Sequence, residues 1–103
     1  MTMEQNIRNI EGNVVEIQFK LDRNGKDFVT VTIQQDGLTY PTNVRARDAT
    51  ILERMKIVKQ HLEAGSPVRL GFEIRESPRS EGGFFRDILR VTSVSLDDVP
   101  TDA

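Results

Sequence analysis

The chain has no cysteine. Disulfides, thiolate nucleophiles and thiolate metal ligands are therefore excluded, and the composition fits a reducing compartment. A single histidine among 103 residues excludes a histidine-rich metal site. Tryptophan is absent, and the aromatic set is five phenylalanines and one tyrosine. No apolar run approaches the roughly 20 residues of a spanning helix. The opening MTMEQNIRNI lacks the apolar core of a secretory signal, so a cytoplasmic, unprocessed chain is expected. Neither sign of charge dominates, with 14 Lys and Arg against 16 Asp and Glu. Three of the acids, Asp97, Asp98 and Asp102, sit in the base-free tail DDVPTDA; without them 13 acids face 14 bases, a body near +1. That balance is far from the basic signature of a dedicated duplex DNA binder. Ten of the 14 bases are arginine, however, and a guanidinium suits phosphate forks and stacking.

What is present is periodic. In NVVEIQFKLD, Val15, Ile17, Phe19 and Leu21 alternate with Glu16, Gln18 and Lys20, which predicts a half-buried strand. Asn24-Gly25 marks a tight turn. In DFVTVTIQQ, Val29, Val31 and Ile33 alternate with Phe28, Thr30, Thr32 and Gln34, a second, antiparallel strand. LTYPTNVRAR is a weaker third strand with Leu38, Tyr40, Val44 and Ala46 on one side; Pro41 cannot donate a ladder bond and points to an edge or a bulge.

The period then changes. Ile51, Met55, Val58 and Leu62 form one stripe of a helix over roughly 50 to 64. Thr50 with Glu53 reads as a capping box, and Asp48 competes as the cap. Gly65 suits the left-handed residue at the helix end, before Ser66-Pro67. Strands return in PVRLGFEIRE, with Val68, Leu70, Phe72 and Ile74 inward and Arg69, Glu73 and Arg75 outward. In FFRDILRVTSVSLD, Phe85, Leu89 and Val91 share one parity, while Val94 and Leu96 share the other. A bulge near Thr92-Ser93 reconciles them and leaves Phe84, Arg86 and Arg90 outward.

Three antiparallel strands, one helix and a final hairpin resemble the OB-fold, a five-stranded Greek-key barrel. Its first hairpin is similar to IEGNVVEIQFKLDRNGKDFVTVTI, where Gly12 stands at the sharp bend of strand one. The resemblance implies an all-β barrel over residues 7–96, with the helix between strands three and four. Residues 1–6 are then an N-terminal extension and 97–103 an acidic, frayed tail.

OB-folds bind ligands on the outer face of strands two and three, between two loops. Here the resemblance implies the loops Lys20 to Lys26 and Ser77 to Gly83. Lys20, Arg23 and Lys26 belong to the first; Arg79 tips the second, with Phe84 and Arg86 at its base. Phe28, Thr30 and Thr32 are expected to point outward from strand two, Arg45 and Arg47 from strand three, and Arg75 from strand four. Exposed rings beside arginines suit a single strand, whose bases stack while phosphates meet positive charge. Phe19, Phe72, Tyr40 and Phe85 are assigned to the core. His61, beside Glu63, reads as a rim residue, and Glu53 and Lys56 to Lys59 as ordinary helix charges.

No serine, carboxylate pair or glycine-rich loop forms a catalytic constellation, and SEGGF is too short for a nucleotide-phosphate loop. The expectation is a non-catalytic module for single-stranded DNA or RNA, with no cofactor and no metal. The alternative is a protein-interaction or oligomerising module using the same face or an edge strand, which the near-neutral charge favours. The tail LDDVPTDA is loosely similar to the acidic tip of bacterial single-stranded DNA-binding proteins but lacks the terminal phenylalanine and the glycine-rich spacer. A solubilising terminus is the simpler reading.

Overall fold

A computed structural model describes residues 6–96. Six elements follow in order: β1 Asn6–Leu21, β2 Asp27–Gln34, β3 Thr42–Ala46, α1 Ala49–Glu63, β4 Val68–Pro78 and β5 Phe84–Leu96. Asn6 opens β1; residues 1–5 and the acidic tail 97–103 lie outside the described residues. The strands close into a barrel in the order β1-β2-β3-β5-β4. Neighbours are antiparallel, except that β3 and β5 run parallel and share a single rung, Arg45 beside Asp87. With α1 between β3 and β4, this is the OB-fold that the element order resembles.

β1 serves two neighbours. Asn6–Asn13 pairs with β4, and Asn13–Leu21 with β2. The strand bends where it changes partner, at Gly12. A Cβ there would collide with the carbonyl oxygen of Gln34, so a side chain would push the end of β2 away. Just beyond the bend the β1–β2 register skips Val15. This bulge reverses the parity: Ile10 and Ile17 are buried, and Val15 is 58% exposed. The expected inward positions of Val15 and Leu21 are therefore corrected, Leu21 standing exposed at the strand end.

In β2, Val29, Val31 and Ile33 are fully buried, as their alternation predicts. β3 is shorter than expected. Gly37, at φ +79°, turns the chain, and the Gln34 amide donates to the Leu38 carbonyl at 2.6 Å. Pro41 lacks an N–H, and the ladder starts at Thr42. Leu38 and Tyr40 consequently stand exposed in the β2–β3 loop, which corrects the assignment of Tyr40 to the core.

The cap of α1 is Asp48, whose carboxylate accepts the Ile51 N–H at 3.1 Å. The Thr50–Glu53 capping box does not form; Glu53 pairs with Lys56 instead. Ile51, Met55 and Val58 are buried against the barrel, and Leu62 is partly buried. At the C-terminus the Ser66 N–H donates to His61 and the Gly65 N–H to Leu62, with Gly65 at φ +86°.

β4 buries Val68, Leu70, Phe72 and Ile74 as expected. β5 carries two register shifts against it, leaving Thr92 and Leu89 unpaired. The first is the expected bulge. Gly71 faces it, where a Cβ would lie 2.8 Å from the Thr92 hydroxyl. The second shift is not legible from parity alone. It turns Ile88 into the core, 6% exposed, and leaves Phe85 and Leu89 each 37% exposed. Phe85 is thus not a core residue. No helix among the described residues is long and apolar enough to cross a membrane.

Candidate nucleic-acid interface

Directly opposed residues in a sheet share a face. Phe28, opposite Lys20, and Thr30, opposite Gln18 on one side and Arg45 on the other, therefore make one outer wall. The rung continues across the barrel seam from Arg45 to Asp87 and on to Arg75. The β4–β5 turn rises beside this wall. Its Arg79 N–H donates to the Gly83 carbonyl at 3.0 Å, and Gly82 and Gly83 take positive φ. Between turn and wall lies an open groove of about 260 Å³. Phe28, Thr30, Asn43 and Arg45 line it from the sheet, and Arg79, Phe84, Phe85 and Arg86 from the hairpin.

The groove is built around a stack that parity reasoning misses. Two guanidiniums lie against the Phe85 ring, Arg45 at 4.3 Å and Arg79 at 5.0 Å from its centroid. Arg47 stands 5.9 Å over Phe28. Each such contact contributes about 0.5–1 kcal/mol at an exposed site. The signal available in the sequence was the pair Phe84-Phe85 beside Gly82-Gly83; both phenylalanines line the groove, and that Phe85 is not in the core depends on the register shift at Leu89.

Positive charge in the groove is largely answered within the protein. Arg45 Nε donates to Asp87 at 2.8 Å, and Arg86 Nε to Glu76 at 2.9 Å. Glu76 is shared with Arg8, whose Nε lies 2.7 Å away. Arg79 approaches Glu81 at 4.0 Å. Among the described residues, Arg47 and Arg75 have no carboxylate within 4.0 Å. They line a second depression of about 350 Å³, which Arg45 shares with the groove.

Other expected site residues lie apart. Thr32 is one rung along, where its hydroxyl donates to Asn43 at 2.6 Å. Lys20 shares the outer wall as the cross-strand partner of Phe28, and like Arg23 and Lys26 of the β1–β2 turn it does not line the groove. Asp22 organises that turn by accepting the Asn24 and Lys26 N–H groups at 2.8 and 3.0 Å. Its carboxyl is held below the usual value, chiefly by the Lys26 N–H, with partial desolvation opposing and the Asn24 N–H and the charge of Arg47 assisting.

A third cleft, between α1 and the first hairpin, is lined by Phe19, Leu52, Asp27, Glu53 and Lys56. Its two acids make it a poor match for a polyanion. Among the described residues, no three His, Cys, Asp or Glu side chains converge as metal ligands would.

No family model matches the sequence, and no curated protein matches it either. Among solved structures, the chain is similar to the mitochondrial single-stranded DNA-binding protein Rim1 of S. cerevisiae in two crystal forms. In the first the TM-score is 0.59 at 9% identity, covering 90% of this chain and 96% of that one. In the second it is 0.55 at 14% identity, covering 91% and 95%. At these identities the likeness is one of fold.

Proposed function

We propose that this OB-fold barrel binds single-stranded DNA or RNA in the groove between its β2–β3 wall and its β4–β5 hairpin, without catalysis. The observation that carries the reading is the Phe85 ring with Arg45 and Arg79 against it, beside Phe28 and Phe84. Unpaired bases expose π-faces that such a surface accepts whatever their identity, whereas a duplex keeps them stacked inside. The shared fold of a protein described as binding single-stranded DNA supports the same reading. Phosphates are met by guanidiniums, which position the strand without reading its sequence.

Fluorescence anisotropy with labelled single-stranded DNA, single-stranded RNA and duplex of mixed sequence tests this at two salt concentrations. Single strands are expected to bind better than duplex, with affinity falling as salt rises. No binding of either single strand at low salt would refute the reading.

A second reading, docking of another copy or a protein strand, is favoured by one edge of β5. Beyond Asp87, β3 no longer pairs with it. Its last six residues, VTSVSL, carry no charge, and Val94 and Leu96 are exposed. Such an edge accepts strand addition. Sedimentation equilibrium of the full chain checks it: a monomer at all concentrations argues against a second copy.

A further inference from the structure

The groove that holds the aromatic stack is not where the unpaired positive charge is. Arg45, Arg79 and Arg86 each face an acid. The depression across the barrel seam is different. β3 and β5 touch at one rung and then part, because β3 ends at Ala46 and leads into α1 while β5 runs on through Ile88 and Leu89. The notch between them is lined by Arg45, Arg47 and Arg75, with Asp87 as the one acid in its wall. Three guanidiniums against one carboxylate leave a net of two positive charges. Asp87 takes the Nε edge of Arg45, and among the described residues no side chain occupies its two terminal nitrogens. Asp22 acts on Arg47 through its field without bonding it.

We propose that this β3–β5 notch is an anion subsite that takes phosphodiester groups of the same strand whose bases lie in the aromatic groove. The proposal rests on the single-strand reading above and adds a path to it. Arg45 lines both depressions, so a strand leaving Phe85 passes over Arg45 toward the notch. Base stacking and charge neutralisation then fall mainly to different side chains, with Arg47 also standing over the Phe28 ring. Phe85 and Phe28 hold bases; Arg47 and Arg75, which have no carboxylate to surrender, hold phosphate.

This separation has a signature in salt titration. Each phosphate neutralised on a single strand contributes about 0.7 to the slope of log K against log salt. With a thymidylate oligonucleotide as probe, Arg47→Ala with Arg75→Ala is expected to flatten the slope by about 1 to 1.5. Phe85→Ala is expected to weaken binding at every salt concentration and leave the slope in place. Arg54→Ala with Arg90→Ala removes the same charge from outside the notch and is expected to leave the slope unchanged. Equal flattening by the two arginine pairs would reduce the effect to net charge and overturn the subsite. An unchanged slope in the Arg47, Arg75 variant, with wild type binding normally, would overturn it too. Failure of wild type to bind would instead remove the single-strand reading itself, and the subsite with it. Arg47→Lys with Arg75→Lys guards against a folding defect, since it keeps the charge and should restore most of the slope.

Discussion

Phe85 is the residue on which the interface turns. Its ring is partly exposed and contacted by two guanidiniums, so truncation removes a stacking platform without opening the core. Phe85→Ala is expected to weaken single-strand binding by about 1–3 kcal/mol. The same variant should unfold in urea close to wild type. A large loss of stability with unchanged binding would return Phe85 to the core and out of the site. Asp22 is the other residue with a defined physical role. Its folded carboxyl titrates below the ordinary 3.8 because it accepts backbone N–H bonds in the first turn. A depressed carboxylate stabilises the fold above its unfolded value, and that contribution is lost as pH falls through the folded one. The turn is thus expected to keep its hydrogen bonds through the neutral and mildly acidic range and to loosen only below the usual Asp range. The carboxyl carbon shift of Asp22, followed by NMR against pH, checks this; a midpoint at or above 3.8 contradicts it.

At the scale of elements, the helix and the strands were legible to different degrees. The stripe Ile51, Met55, Val58 and Leu62 predicts a helix over roughly 50 to 64, and α1 spans Ala49–Glu63. A helix keeps its phase over four turns, so one register suffices. The stripe is graded, however: Met55 is fully buried while Leu62 lies at the margin of the core. Met55→Ala is expected to cost about 2–5 kcal/mol, and Leu62→Ala less, as measured by urea unfolding. The reverse order would mean that α1 seats differently on the barrel. Strands lose their phase at every bulge, since one inserted residue exchanges the two faces. Val15 and Leu89 are such residues. Neither is glycine and neither breaks the β-propensity of its segment, so alternation counted through them assigns the wrong face. Thr92 was accessible because the parity conflict between Val91 and Val94 falls directly around it.

For the whole molecule, one core joins all five strands to α1. Unfolding is therefore expected to be a single cooperative transition. Far-ultraviolet circular dichroism and the NMR signals of core methyl groups should give the same urea midpoint; separate midpoints would indicate that α1 detaches from the barrel first. Tyrosine fluorescence is unsuited to this test, because Tyr40 is 81% exposed already in the folded state. The charge of the chain is near balance at −2, so attraction of a polyanion depends on where arginines stand and which of them lack acids. Arg45 and Arg86, both expected to meet phosphate, have carboxylate partners 42 and 10 residues away in sequence.

The element order, the one helix with its Gly65 stop, and the inward faces of β2 and β4 follow from the sequence by itself. Each is written in local periodicity and turn chemistry, which act over a few residues. Closure of the barrel, the bend at Gly12 against Gln34 and the placing of Phe85 against Arg45 and Arg79 were decided only by tertiary structure. So was the division of the arginines into paired and unpaired. These features arise from strands distant in sequence meeting in one register, and the register is set by the packing of the closed core rather than by any single strand.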